Sequence, residues 1–209
     1  MLLSSAYFPP IQYFSKLVEH QKITLEACEN YQRRSYRNRC LIGAANGIIA
    51  LSVPILKGKS ENQAIRDVRI SYETNWQRAH SRSIMSAYQH SPFYEFFIDE
   101  LIFVWDKREK FLYDLNLRIL EVIIELSGLS NIQISHSEKY IDTPDNLPDW
   151  RKIIHPRKGA EDDKQFIVVP YQQAFSDRYE FQPNLSILDT LFQLGPEIPT
   201  YLSSVLSKT

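Results

Sequence analysis

The chain has 209 residues, of which 44% are hydrophobic and 23% charged, and its formal net charge at pH 7 is −1. These values are typical of a globular protein, and the length suits a single domain over residues 1–209. A chain so close to neutral has no overall field that would draw it to nucleic acid, so we expect no nucleic-acid partner. Any recognition of an anion must therefore be local.

Cysteine content and hydropathy together predict where the protein is located. Cys28 and Cys40 are the only cysteines, which is too few for a disulfide scaffold, and they do not form a CxxC pair. The N-terminal residues lack the basic start and long apolar run of a signal peptide, and no stretch reaches the ~20 apolar residues of a membrane span. We therefore expect a cytoplasmic protein without a membrane span. The composition leaves its oligomeric state open.

The N-terminal residues predict a strand, a tight turn and a helix. Leu2–Phe8 has the pattern of a short buried strand, which two prolines end because proline cannot donate to a strand ladder. Apolar residues then recur at helical spacing over Ile11–His20, and Ile23–Ala27 predicts a second strand. Polar residues in a first helical turn are often caps, but such a turn is also a common place for a ligand. The candidate ligand-binding residues here are Tyr7, Gln12 and Tyr13.

Arginine is concentrated in the segment Glu29–Cys40, where tyrosines are interleaved with it. The arginines are Arg33, Arg34, Arg37 and Arg39. Guanidinium groups this close repel one another unless an anion or a π-system lies between them, and each offers a planar fork of donors. The segment is either a solvated turn or the wall of a pocket for an anionic ligand, such as a nucleotide sugar or an acyl donor. In the second case Arg37, Asn38 and Arg39 are the ligand-binding candidates.

A β-hairpin is predicted directly after the arginines. Arg39–Ala44 and Ile48–Leu56 have strand character, and the Asn-Gly pair at 46–47 between them is a strong hairpin turn signal. Rigid strands behind the arginine segment would hold its guanidinium groups in place. A polar loop is expected at residues 57–62, and a further strand is expected over Ile65–Ile70.

The rest of the chain has mostly helical patterning. The predicted helices are Trp76–Gln89, Phe93–Trp105, Phe111–Leu126 and a C-terminal helical part from Asn184. The predicted strands are Ile132–Ser135 and Phe166–Val169, separated by a long loop over residues 140–164. Strand patterning before Tyr72 and helical patterning after it predict an α/β or α+β fold. A small mixed sheet from the N-terminal half should be packed by helices from the middle and C-terminal parts, and Phe166–Val169 should rejoin the first sheet.

Common catalytic and nucleotide-binding motifs do not occur in the sequence: it has no GxxxxGK(S/T), GxGxxG, GxSxG or HExxH pattern. No carboxylate cluster has metal-ligand spacing, and the sequence names no cofactor. His80 is the candidate general base, because imidazole titrates near neutral pH and this one shares a helix face with Trp76. The alternative is a core histidine satisfied by a carbonyl or a carboxylate.

Two other side chains are candidates for the same site. Cys40 follows an arginine, and a nearby cation lowers a thiol pKa, although a small buried strand residue is the simpler interpretation. Asn116 lies beside an apolar helix stripe, where its amide is either anchored in the core or reaches the pocket. We therefore expect a site bounded by the Tyr7–Tyr13 turn, the Arg37–Arg39 segment and the Trp76–His80 helix face.

Several short motifs follow one another along nearly the whole chain. They are residues 7–14 (YFPPIQYF), 36–39 (YRNR), 51–54 (LSVP), Trp76 with His80, 87–88 (AY) with 91–93 (SPF), 115–116 (LN) and 181–189 (FQPNLSILD). In order and spacing they resemble the WbqC-like family of bacterial proteins. This chain has Ser5 and Ala6 where members often have Gln-Pro, and Cys40 where many have asparagine.

The resemblance implies an association, in some members, with gene clusters for O-antigen and other surface polysaccharides. It also implies a role in modifying an amino sugar, for instance by transfer of an acyl or aminoacyl group. Two functions therefore compete. One is a transferase in polysaccharide biosynthesis with His80 as its base. The other is a non-catalytic protein that binds an anionic metabolite or a partner in envelope biogenesis, which the missing catalytic dyad and cofactor motif favour.

Overall fold

The computed structural model describes residues 1–56, 63–144 and 147–207. It confirms the α/β class: a small parallel sheet and an antiparallel hairpin are packed by helices. The strands are β1 (Leu2–Ser4), β2 (Lys22–Glu26), β3 (Arg39–Ala44), β4 (Gly47–Ser52) and β5 (Gln133–His136). The α-helices are α1 (Ile11–Glu19), α2 (Trp76–Tyr88), α3 (Tyr94–Phe103), α4 (Leu112–Leu126), α5 (Ile187–Leu194) and α6 (Ile198–Ser204). Within these described residues, no helix combines the length and apolar character needed to cross a bilayer.

The sheet consists of β1, β2 and β5, all parallel, with β2 in the middle. α1 connects the first two strands, as a parallel pair requires a crossover. On the outer side of β1, the Leu2 N–H donates to the Pro148 carbonyl at 2.8 Å and the Leu2 carbonyl accepts from the Trp150 N–H at 3.0 Å. Residues far along the chain are thereby fixed beside β1. The strands end together at one edge of the sheet, at Ser4, Glu26 and His136.

The start of α1 is completed by the C-terminal part of the chain. Its capping residue, Pro10, has no side chain that accepts a hydrogen bond. Instead, the Ile11 N–H donates to the Leu185 carbonyl at 3.0 Å, and the Gln12 N–H donates to the Asn184 side chain at 2.9 Å. The N–H groups that every helix leaves unpaired at its start are thus partly satisfied by tertiary contacts.

The hairpin of β3 and β4 forms where the Asn-Gly pair predicts it. Gly47 has a φ of +97°, which favours glycine because no Cβ is present to clash. α2 packs against β3 and begins where the Asn75 side chain accepts a hydrogen bond from the Arg78 N–H at 3.4 Å. The buried face of α2 carries Trp76 and His80, at the spacing that the sequence predicts.

The strand predicted over Ile65–Ile70 is wrong. A 3₁₀ turn occupies Ile65–Asp67, and Arg69 and Ile70 form only single bridges. The N–H of Ile65 donates to the Glu29 carbonyl at 2.8 Å, so this segment is fixed against the arginine segment rather than against a sheet. The loop predicted at residues 57–62 lies outside the described residues.

The strand predicted over Phe166–Val169 is also wrong, and it does not rejoin the sheet. Phe166 forms one antiparallel bridge with Leu206, and the N–H of Ile167 donates to the Val205 carbonyl at 2.7 Å. β-branched composition predicts extended backbone but does not specify a partner, and here the partner is the chain after α6. β1 is also shorter than expected, since it ends at Ser4.

Candidate functional site

A cavity of about 440 Å³ lies beside the carboxyl ends of β1 and β2. Two residues of its wall reach the ends of these strands: Arg37 donates to Ser4 Oγ at 2.8 Å, and Arg151 donates to Glu26 at 3.2 Å. Ligands of open parallel sheets bind at this edge, so the position itself favours a site. We call it the strand-end cavity, and its wall is formed by Cys28, Glu29, Asn30, Gln32, Arg37, Tyr140, Arg151 and Lys152.

Arg37 is the arginine of the Glu29–Cys40 segment that lines this cavity. Its Nε donates to one carboxylate oxygen of Glu29 at 2.9 Å, and its Nη2 pairs with the other. The two side chains are only 3% and 7% exposed, so these charge-assisted bonds fix the plane of the guanidinium. In the described parts of the chain Nη1 forms no hydrogen bond, which leaves its N–H groups for a ligand.

Arg151 supplies a second guanidinium. Its Nε and Nη2 donate to the carboxylate of Asp149 at 2.9 and 2.7 Å. Burial acts to raise the pKa of Asp149, but the hydrogen bonds from Arg151 outweigh it and hold that pKa below its usual range. The Tyr140 ring lies 5.3 Å from the guanidinium carbon in cation–π geometry. Tyr140 is half exposed, so part of its ring surface stays accessible to a ligand.

Glu26 joins the separate segments of the cavity wall. It is fully buried at the end of β2. Its Oε1 accepts from the Cys28 N–H at 2.9 Å and the Ser137 hydroxyl at 2.5 Å. Its Oε2 accepts from the Ile141 N–H at 2.9 Å and from Arg151 Nη1 at 3.2 Å. These four donors replace the water that the carboxylate loses on burial, so the shape of the wall depends on Glu26.

The surroundings of the strand-end cavity are locally positive. Lys152 is exposed at the cavity and has no ion-pair partner among the described residues. Nearby, burial and four cations lower the pKa of His155. The cations are Arg37, Arg157, Arg39 and Lys158. Glu29, Glu26 and Asp149 balance the charges of Arg37 and Arg151, so the positive charge available to an anionic ligand comes from Lys152 and from the other cations around His155.

Asn116 and Tyr13 lie directly behind the cavity rather than in its wall. The Asn116 amide donates to the Arg37 carbonyl at 2.7 Å, and the Tyr13 hydroxyl donates to the Ser4 carbonyl at 3.1 Å. Both side chains therefore fix the backbone of residues that shape the site. Both side chains are buried, and the Tyr13 hydroxyl and the Asn116 N–H₂ group are engaged by the protein itself, whereas the Asn116 Oδ1 has no hydrogen-bond partner among the described residues.

Three other predicted site residues make contacts outside the cavity wall. The Gln12 side chain donates to Asp163 at 2.9 Å in a buried network. Asn38 donates to the Val53 carbonyl at 3.0 Å, and Arg39 Nη2 donates to the Arg34 carbonyl at 2.6 Å. Asn38 and Arg39 thus brace the chain next to Arg37, and Arg39 contributes charge to the surroundings of the cavity.

His80 lies in a buried cluster with Tyr7 and Trp76, and none of the three lines the strand-end cavity. Its Nδ1 is 2.8 Å from the Tyr7 hydroxyl, and its ring centroid is 5.2 Å from that of Trp76. Burial lowers the pKa of His80 to about 4, and a hydrogen bond with the backbone of Ser52 offsets this only in part. The imidazole is therefore neutral at pH 7, and its contacts agree with the alternative of a core histidine.

Cys40 has the environment of a structural residue. It is buried, and burial raises the pKa of its thiol, whereas an activated nucleophile needs a lowered pKa. Within the described residues no group of His, Cys, Asp and Glu side chains is arranged to hold a metal ion.

Of the residues that form the site, sequence reasoning selected only Arg37; it missed Glu26 and the wall residues Cys28, Glu29, Asn30, Gln32, Tyr140, Arg151 and Lys152. Glu26 left a signal, since a carboxylate at the end of a buried strand needs partners. The sequence contains no comparable signal for Arg151, because this residue lies 125 positions from Glu26 in a segment whose pattern predicts a loop.

Comparison with known proteins places these features in a family. The model of the WbqC-like protein family matches residues 4–162, a range that contains the whole wall of the strand-end cavity. The chain is 25% identical over 225 residues to "Uncharacterized protein Rv1507c" of Mycobacterium tuberculosis, and the match covers 96% of each chain. No solved structure matches the chain. The protein belongs to the WbqC-like protein family.

Proposed function

We propose that this protein binds an anionic amino sugar in the strand-end cavity and transfers an acyl or aminoacyl group onto it during the biosynthesis of a surface polysaccharide. The observation that carries the proposal is the pair of oriented guanidinium groups, those of Arg37 and Arg151, at one cavity of about 440 Å³. Carboxylates already hold both groups in place. A ligand therefore binds without the entropy cost of ordering two flexible side chains.

The other wall residues fit a sugar that carries a phosphate or a carboxylate. Arg37 Nη1 and the Lys152 ammonium are donors for the anionic group. Asn30 and Gln32 carry amides that donate to and accept from hydroxyl groups. Tyr140 offers an aromatic surface for the apolar face of a sugar ring. Small-molecule sites typically have volumes of roughly 300–1,000 Å³, so this cavity suits a small metabolite.

In the proposed reaction the neutral amine of the sugar attacks the carbonyl carbon of an activated acyl donor such as a thioester. A C–N bond forms and the C–S bond breaks. The leaving thiolate takes the proton that the amine gives up, so the step balances without a protein base. Arg37, Arg151 and Lys152 contribute by holding the acceptor in one orientation, which is the proximity term of catalysis.

A second candidate function is a non-catalytic binding protein for an anionic metabolite in envelope biogenesis. The observation that favours it is the enclosure of His80, whose imidazole contacts Tyr7 and the backbone of Ser52 rather than the cavity. The carboxylate of Glu29, which does line the cavity, is engaged by Arg37. Both candidates use the same cavity and differ only in whether a product forms.

A ligand screen followed by a product assay separates the two functions. The protein is tested for thermal stabilisation by sugar phosphates, nucleotide sugars, acyl-CoA and acyl carrier protein, and hits are incubated in donor–acceptor pairs. A ligand at 100 times its Kd stabilises the fold by about 2.7 kcal/mol, a shift of roughly 5–10 °C here. A mass increase of the sugar by one acyl group supports the transferase. Binding without a product from any pair supports the binding protein.

The cavity itself is tested with matched surface variants. Lys152→Gln removes an exposed donor at the cavity, and Lys164→Gln makes the same change at an exposed position outside its wall. Loss of one charge-assisted bond should weaken ligand binding about tenfold in Lys152→Gln. Equal affinities in both variants and the wild type would place the ligand elsewhere.

A further inference from the structure

A second cavity, of about 480 Å³, is formed by the exposed side of α2, the end of α3 and the segment that follows α3. It shares no lining residue with the strand-end cavity. Trp105 forms a fixed part of its wall, because this side chain is buried and its ring packs against Phe8 at a centroid distance of 5.8 Å. We call this cavity the α2 groove. Its wall includes Asn75, Arg78, Arg82, Trp105, Asp106 and Arg108.

Arginines outnumber acidic residues by three to one in the α2 groove. Arg78 and Arg82 lie one helical turn apart on the exposed face of α2, and Arg108 lies over the Tyr72 ring at 5.6 Å. Across residues 1–56, 63–144 and 147–207, none of the three guanidinium groups lies within ion-pair distance of a carboxylate. Like charges one turn apart repel, so an anion bound between them is stabilising.

The groove adds two further features that suit a phosphorylated ligand. The 13-residue helix α2 begins beside it, so the positive end of the helix dipole adds to the charge of the arginines. The exposed side chain of Ile102, with the small accessible part of Trp105, gives the same cavity an apolar surface for the part of a ligand that carries no phosphate. A single carboxylate cannot use three guanidinium forks, whereas a diphosphate has enough charge and oxygens to engage them.

We propose that the α2 groove is a second ligand site, which binds the diphosphate group of a small molecule through Arg78, Arg82 and Arg108. The inference does not depend on the reaction proposed for the strand-end cavity, since the two cavities have no residue in common. The diphosphate could come from inorganic pyrophosphate or from a nucleoside diphosphate. Contact with Trp105 and Ile102 should make a nucleoside diphosphate bind more tightly than pyrophosphate alone.

The test is a calorimetric titration of the full chain with inorganic pyrophosphate, and then with a nucleoside diphosphate, at constant ionic strength. The variant Arg78→Gln/Arg82→Gln should weaken pyrophosphate binding at least tenfold. Arg178→Gln removes one arginine charge at an exposed site outside the groove and should leave the Kd unchanged. All three side chains are exposed, so these variants should fold, which circular dichroism verifies.

Lys152→Gln tests whether pyrophosphate binds in the other cavity, because this variant alters only the strand-end cavity. An unchanged pyrophosphate Kd in Lys152→Gln, together with the loss in the double variant, supports the α2 groove. A loss in Lys152→Gln with full binding in Arg78→Gln/Arg82→Gln would assign the anion to the other cavity and overturn the proposal. No binding by the wild type, or equal weakening by Arg178→Gln, would overturn it as well.

Discussion

Arg37→Ala is expected to lower the stability of the fold as well as the affinity for the ligand. Arg37 makes two charge-assisted bonds to Glu29, and both side chains are at most 7% exposed. Truncation leaves the Glu29 carboxylate buried without its counter-charge, which typically costs about 3–5 kcal/mol. For a chain of this size each kcal/mol lowers the melting temperature by roughly 2–4 °C, so we expect a fall of roughly 6–20 °C. The size of this effect follows from Glu29, a partner carboxylate that the sequence alone does not identify.

A double-mutant cycle assigns this loss to the ion pair. Arg37→Ala, Glu29→Ala and the double variant are compared by urea denaturation, and the double variant should lose about 1–3 kcal/mol less than the sum of the single changes. Arg178→Ala is the control, because its pair with Asp177 is exposed and such pairs contribute at most about 1 kcal/mol. Strict additivity, or a melting temperature of Arg37→Ala within roughly 2 °C of the wild type, would refute the reasoning.

The remaining predictions concern pH and the cavity wall. The pKa of His80 is about 4 in the folded state, below its unfolded value, so the unfolded state binds the proton first. Stability should therefore fall by about 3 kcal/mol as pH decreases from 6.5 to 4, and His80→Gln should flatten this dependence in urea titrations. Burial raises the pKa of Asp189, so its contribution to stability declines as pH rises above the ordinary carboxyl pKa. Tyr171→Phe removes a donor that lowers this pKa and should extend that decline to higher pH, which the same titrations measure. Glu26→Gln removes the buried charge and sets an N–H₂ group against two of the four donors that bind the carboxylate, so it should weaken anionic ligands at least tenfold in calorimetry; circular dichroism verifies that the variant is folded. An unchanged affinity would show that Glu26 does not position the wall.

Local sequence patterns correctly predicted the helices and the hairpin that are specified by residues close together in the chain. α1, α2 and α4 follow from apolar spacing, and the hairpin follows from the Asn-Gly pair at 46–47. The same reasoning failed for Ile65–Ile70 and Phe166–Val169. Short apolar runs indicate burial but not the partner against which they are buried, and here the partners are the arginine segment and the chain after α6.

The candidate site divides in the same way between sequence and structure. The sequence determined that arginines are concentrated before a hairpin and that any anion site must be local. It did not determine which arginine lines a cavity, since that depends on Glu29 and Ser4 as partners of Arg37. Only the tertiary structure brought Arg151 to Glu26 across 125 positions, and only burial lowered the pKa of His80. Pairing, desolvation and cavity shape arise from contacts between distant segments, and no window of neighbouring residues contains them.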